Sequence, residues 1–394
     1  MSALLLGPDR TGRVVAVVDG RIAAEAPPDA EPIACADGEI ALGAVCAHTH
    51  LYSGLAVFGM PGAEPAPSTF LEILERVWWR LDRAIDAETL RASARVYVGE
   101  ALLAGTTTLI DHHESPLFIE GSLAVLAEVC ESLGIRAALC WGATERNFGR
   151  DEARRGLAEC ARLAPSRLIR PLVGLHAGFT VSDATIREAG ALARDLGVPL
   201  HAHLAEAADD VADAKARGYA GTLDRLIRLD AVPEGSIFAH GVHLTSDEVV
   251  EIAARRCWLV QNPRSNEGNR VGYAGVLAHS DRVALGTDGW AADMGVEEAA
   301  LARLAAENHD TAWRPRLAAG RRLIADLHGV AATDFAPGAL ADLVVRDAAG
   351  RVRDVIVEGR VVVRDGGLLG ADIGVLRAEA EAEARRLWTR MAAL

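Results

Sequence analysis

From residue 40 onward, short apolar runs alternate with longer stretches of helical periodicity, eight times before residue 290. The runs are Ile40–His48, Thr107–Asp111, Arg136–Trp141, Leu168–His176, Val198–His203, Ser236–His240, Trp258–Asn262 and Arg282–Asp288. Amphipathic stretches such as Ala87–Leu103 and Asp183–Leu196 lie between them. This alternation indicates βαβ units and a parallel sheet. Eight such units in a row predict an α/β fold, a (β/α)8 TIM barrel.

The two ends of the chain follow another pattern. Val14–Val18 runs into Asp19-Gly20, a hairpin signal. After residue 335 strands return at Ala341–Val345, Asp354–Val357 and Arg360–Val363. Residues 1–42 and 335–370 are therefore expected to form one small β-sandwich, with 43–334 as the barrel and 371–394 as a C-terminal helix. The helical pattern runs from Leu376 to Met391, and its charges read as a solvated face.

Barrel enzymes carry their chemistry at the carboxyl ends of the strands. Nine of the twelve histidines sit at or just beyond those ends. The first strand ends in His48-Thr49-His50, whose imidazoles point the same way because residues i and i+2 share a strand face. The second ends in Asp111-His112-His113-Glu114 and the fourth in His176. The fifth carries His201 and His203 before Glu206, the sixth His240 and then His243, and the eighth Asp288. His48, His50, one fifth-strand histidine and Asp288 make a ligand set for a borderline divalent cation such as Zn2+. Such a cation lowers the pKa of bound water and yields hydroxide as nucleophile. Glu206, three residues past His203, is placed to carry a proton. His279, His309 and His328 read as structural.

Bulk properties narrow the partners. The chain has 394 residues, a formal net charge of −14 and no long basic run, which argues against nucleic acid and anionic membranes. Six dispersed cysteines without a Cys-x-x-Cys pair read as reduced core thiols. The apolar run Met1–Gly7 is too short for a signal peptide, and no segment is long enough for a membrane span. A cytoplasmic protein is expected.

At these residues the chain resembles the amidohydrolase superfamily and, within it, the ATZ/TRZ-type aminohydrolases. The resemblance spans nearly the whole chain. It rests on His48-Thr49-His50, Gly105-Thr106-Thr107-Thr108, His203-x-x-Glu206, Ala239-His240, Asn262-Pro263-x-Ser265-Asn266 and Gly286-Thr287-Asp288-Gly289, in that order. A narrower likeness, to the SsnA-like selenium-metabolism branch, rests on Phe70–Glu75 leading to Trp78–Asp82, on Ile110–His113, on Gly174–Thr180 and on Leu387-Trp388. The resemblance implies that His48, His50, His203 and Asp288 hold one Zn2+ or Fe2+, the His-x-x-Glu spacing favouring His203 over His201. It also implies that Asp288 takes a proton from the attacking water, Glu206 protonates a ring nitrogen of the substrate, and His240 steadies the attacking oxygen while ammonia leaves. Two-metal members of the superfamily bridge their ions through a lysine on the fourth strand. Here that strand has none, and the only lysine is Lys215, in a helical stretch. One metal per chain is expected, in a homodimer.

The expected reaction is hydrolytic deamination of a cyclic amidine, in a purine, pterin or triazine ring. The alternatives are hydrolysis of a cyclic amide or a chlorinated heterocycle and, more remotely, a non-catalytic barrel. Candidate substrate contacts are His176, Trp79, His112 and Trp290. Departures from the family pattern are Trp290 after Asp288-Gly289, the lack of an arginine in Ser53–Met60, and a short 312–338 region.

Overall fold

The computed structural model describes residues 3–394; Met1 and Ser2, the start of the apolar run noted above, lie outside it. Eight parallel strands follow one another around a barrel: Ala44–Thr49, Thr106–His113, Arg136–Ala143, Val173–Leu175, Leu200–Leu204, Ile237–His240, Trp258–Gln261 and Val283–Leu285. The chain closes the ring just past the last strand. The amides of Thr287 and Asp288 both donate to the His48 carbonyl, at 2.9 and 3.0 Å. That closure requires glycine at 286, because a Cβ there would lie 2.7 Å from the His48 carbonyl oxygen and 2.6 Å from Asn262 Oδ1. The predicted α/β barrel is thus the observed one, with helices such as Ala87–Leu103 and Asp183–Leu196 packed outside.

Two of the predicted runs are divided. Ile40–His48 is not one strand: Glu39–Leu42 pairs antiparallel with Leu343–Arg346, whereas Ala44–Thr49 pairs parallel with Thr106–His113. Gly43 is the switch. A Cβ there would sit 2.1 Å from Thr107 Oγ1, so only glycine lets the chain pass from one sheet to the other. The run Leu168–His176 breaks at Leu172, and Ile169–Pro171 pairs only with the Arg136–Ala143 strand. Hydropathy cannot mark either break, because both halves of each run are apolar.

The chain ends build two further sheets. Ala3–Asp9, Val15–Val18, Arg21–Ala23 and Glu31–Cys35 form one; Glu39–Leu42, Leu343–Arg346, Val352–Val357, Arg360–Arg364 and Gly367–Leu368 form the other. The hairpin read from Asp19-Gly20 is present, both residues having positive φ (47° and 79°) as a primed turn demands. Leu6, Val17, Ile40, Leu343 and Ile356 share one apolar core between the sheets. The last helix, Ile373–Ala392, is capped by Asp372 and packs on Ala87–Leu103. It buries Leu376, Ala380, Ala384, Leu387 and Met391, a stripe at helical spacing that leaves most of its charges outward. Among the described residues no helix is long and apolar enough to cross a membrane.

Arg136, 1% exposed, ties the barrel to the terminal sheets. Its Nε and Nη2 donate to Asp342 at 2.7 and 3.0 Å, and Nη2 also reaches Glu358. Removing the cation strands two carboxylates that are themselves largely buried. Arg136→Leu is therefore expected to lower unfolding stability by about 3–5 kcal/mol, read from denaturant melts. A change below 1 kcal/mol would show that the pair contributes little.

Candidate metal centre

His48 and His50 leave the end of the first barrel strand on its inner side, and Thr49 between them turns outward to Tyr97. His203 arrives from the fifth strand and Asp288 from the turn that closes the barrel. One donor atom from each of the four lies within 4.8 Å of all the others. Asp288 Oδ1 is 3.3 Å from His48 Nε2 and 2.8 Å from His50 Nε2, and His203 Nε2 is 3.4 Å from His50 Nε2. Donors about 2.1 Å from a tetrahedral zinc lie roughly 3.4 Å apart, so the set has the dimensions of a coordination shell.

The surrounding hydrogen bonds select the ligating tautomers. His50 Nδ1 is hydrogen-bonded to the His112 carbonyl and His203 Nδ1 to the His176 carbonyl, at 3.1 Å for the latter. A carbonyl only accepts, so each Nδ1 carries the hydrogen and each Nε2 keeps its lone pair. For His48 the relay is longer. His201 Nδ1 donates to the Ile237 carbonyl at 3.1 Å, leaving His201 Nε2 as an acceptor. His48 Nδ1 donates to it at 2.9 Å, so His48 Nε2 is again a free lone pair. That atom is buried and has no hydrogen-bond partner, which a cation would supply. His201 therefore orients His48 from one layer deeper and does not face the centre.

Electrostatics point the same way. Burial pushes His48 down to about 3, which keeps its ring neutral. Burial also disfavours charge on His50, yet the carboxylates of Glu114 and Asp288 outweigh it and raise His50 to about 10. A field that holds a proton on His50 will hold a dication at the same point. Burial opposes ionisation of Asp288, but the adjacent His48 and His50 rings hold its carboxyl well below the usual range. Burial raises Glu206 above the usual glutamate range, with His240 pulling the other way. Two carboxylates facing one centre are thus driven apart, one toward base and one toward acid.

The remaining partners come from the end of the sixth strand and from the short helix Pro263–Gly268, with its cap Asn269, after the seventh. Ser265 donates to Asp288 Oδ2, leaving Oδ1 toward the histidines. Asn269 Nδ2 donates to Glu206 Oε1 at 3.2 Å. His240 Nδ1 meets Asn266 Oδ1 at 2.9 Å, while its Nε2 is buried, unpartnered and 3.6 Å from Glu206 Oε2. Both His240 (φ 75°) and Asp288 (φ 53°) sit in left-handed backbone, a strain that accumulates where side chains must be aimed.

Above the centre is a cavity lined by His50, His203, Glu206 and Asp288 together with Phe70, Trp78, Trp79, Asp82, His176 and Phe179. His176 and Trp79, two of the expected substrate contacts, line this cavity. His112 and Trp290 are not in that lining. Both ring nitrogens of His112 are consumed, Nδ1 by Glu114 at 2.6 Å and Nε2 by the Leu175 carbonyl at 2.9 Å, and the residue is fully buried behind His50. Trp290 turns outward, 48% exposed, beside the guanidinium of Arg264. His243, His279 and His309 are exposed. Missed as site residues were Ser265, Asn266 and Asn269, which stand in or beside the Asn262-Pro263-x-Ser265-Asn266 motif, and Glu114, which closes the Asp111–Glu114 stretch.

Comparison with known proteins agrees with this geometry. A family model described as the amidohydrolase family matches residues 40–362. The chain is 29% identical over 270 residues to the 5-methylthioadenosine/S-adenosylhomocysteine deaminase of Moorella thermoacetica, a match covering 67% of this chain and 60% of that protein. It is 28% identical over 429 aligned positions to the protein of the same name from Natronomonas pharaonis, covering 99% of this chain and 95% of that one. Among solved structures, a zinc-bound adenosine deaminase from Xanthomonas campestris superposes with a TM-score of 0.79 at 25% identity, covering 98% and 97% of the two chains.

Proposed function

The chain belongs to the amidohydrolase family, and from that membership and the four-donor centre we propose that it is a metal-dependent aminohydrolase that releases ammonia from an aminated N-heterocycle such as a purine, pterin or triazine. The observation that carries this reading is the cluster of donor atoms from His48, His50, His203 and Asp288, with Glu206 and His240 grouped beside Asp288. His48, His50, His203 and Asp288 would hold one divalent cation, zinc by the chemistry of three imidazoles and a carboxylate, with Fe2+ the alternative. The fourth barrel strand, Val173–Leu175, carries no lysine to bridge a second ion, which supports one cation. When bound there, the cation supplies Lewis acidity and a water acidified toward neutral pH.

The chain's own groups then divide the proton work. Asp288, held ionised, accepts a proton through Oδ1 while Ser265 fixes Oδ2. Glu206, oriented by Asn269, offers a proton to the ring nitrogen beside the carbon under attack. His240, fixed through Nδ1 by Asn266, presents Nε2 toward the attacking oxygen. The aromatic wall of Phe70, Trp78, Trp79 and Phe179 holds a flat ring and excludes water. The deaminases among the relatives act on adenosine-type compounds by name, which supports a purine-like ring.

An ammonia-release screen over purines, pterins, pyrimidines and triazines tests the reaction. On the best ring, Glu206→Gln is expected to lower kcat by about 10²–10⁴-fold with KM little changed. Product without ammonia would move the enzyme to the cyclic-amide or dechlorinating reading. Full activity in Glu206→Gln would remove Glu206 from its role.

A further inference from the structure

The cavity lining carries a second, smaller constellation besides the donor set. Trp79 and Asp82 lie three residues apart on the helix Trp79–Ala84, and both line the cavity. Residues at i and i+3 share a helix face. Asp82 is 1% exposed. Its Oδ2 accepts from Arg146 Nη2 at 2.8 Å, and its Oδ1 is buried with no partner. Trp79 Nε1 is likewise a buried donor with no partner. Arg146 lies over the Trp79 ring at 4.8 Å and is held through Nε by Thr144 at 3.1 Å, so it fixes the pair from behind. A buried polar atom left unpaired costs about 1–3 kcal/mol. Asp82 and Trp79 thus each bring an unpaired polar atom, one acceptor and one donor, to the lining of one cavity, with Arg146 Nη1 a further unpaired donor on the residue that holds Asp82. No lysine or arginine is among the residues lining the cavity.

We propose that Asp82 and Trp79 form the recognition edge for the substrate ring, Asp82 Oδ1 accepting a ring N–H and Trp79 Nε1 donating to the ring nitrogen or carbonyl beside it. Taken with the deaminase reading, on which it rests, this names the substrate class. The substrate is an uncharged ring with an N–H next to an acceptor on the edge away from the carbon attacked. A free purine base, with N9–H beside N3, fits, as does cytosine, with N1–H beside its C2 carbonyl. A nucleoside, which has lost that N–H, does not, and neither does a nucleotide.

Calorimetric binding of hypoxanthine against 9-methylhypoxanthine, and of uracil against 1-methyluracil, tests the edge without requiring turnover. Methylation is expected to weaken binding to the wild-type holoenzyme by tenfold or more for at least one pair. Asp82→Asn, with unchanged zinc content, is expected to bring that ratio within threefold, and Trp79→Phe to weaken the unmethylated base. Equal binding of both members of each pair, failure to bind either unmethylated base at millimolar concentration, or an undiminished ratio in Asp82→Asn would overturn the proposal. Discrimination between the members of a pair without ammonia release from adenine or cytosine would instead count against the deaminase reading and leave the edge standing.

Discussion

Asparagine at position 288 is expected to leave the fold intact and lower kcat by about 10³-fold or more. Asp288 does two things at once. Its Oδ1 lies 3.3 and 2.8 Å from the Nε2 atoms of His48 and His50, within the donor set, and its buried carboxyl is held ionised by those same rings. The amide has the same shape and can still meet Ser265, but it is neutral and cannot take up a proton near neutral pH. Metal content separates the two roles. A variant that keeps one equivalent of zinc and loses turnover has lost a base; one that loses zinc as well has lost a ligand. Unchanged kcat in steady-state ammonia release would remove Asp288 from both.

Removal of the metal should have the largest effect of all. Chelation is expected to reduce ammonia release to background, and one equivalent of Zn2+ to restore it. The apoprotein should remain folded, because His50 and His203 are held by backbone carbonyls and His48 by His201 whether or not a cation is present. Circular dichroism should therefore be unchanged, while the thermal midpoint falls. At free zinc 100 times the dissociation constant, linkage alone contributes about 2.7 kcal/mol of stability. Restoration that needs two equivalents would overturn the one-cation reading. An apoprotein that unfolds outright would show that the cage is built by the metal and not by the carbonyls.

Much of the barrel was legible before any coordinates, because its signals are local. The alternation of apolar runs with helical stretches marks strands and helices one segment at a time, and Asp19-Gly20 names its own turn. What escaped was the division of apolar runs between sheets. Ile40–Leu42 and Ala44–His48 differ in partner and not in hydropathy, and only the approach of Thr107 to Gly43 shows why the chain must change sheets there. At the centre, histidines at strand ends announced a donor set, but His112 stands at a strand end too. It is excluded from the cavity by two hydrogen bonds, to Glu114 and to the Leu175 carbonyl, the second from 63 residues away. Trp290, expected as a substrate contact, has its ring beside the guanidinium of Arg264, a placement that its position after Asp288-Gly289 does not encode.

The alternation of apolar runs with helical stretches was enough to predict the fold class, and His-x-His on one strand, two histidines on another and Asp after Gly-Thr offered a ligand set for a cation. Such spacing reports which residues share a face, since side-chain direction along a strand is set by the backbone of that strand. Which nitrogen of each ring is free, that His201 serves His48 while His203 faces the centre, and that Asp82 and Trp79 leave an unpaired acceptor and donor over the cavity were decided only by the tertiary structure. Each depends on a hydrogen bond, made or missing, between groups that folding brings together, and no local pattern encodes it.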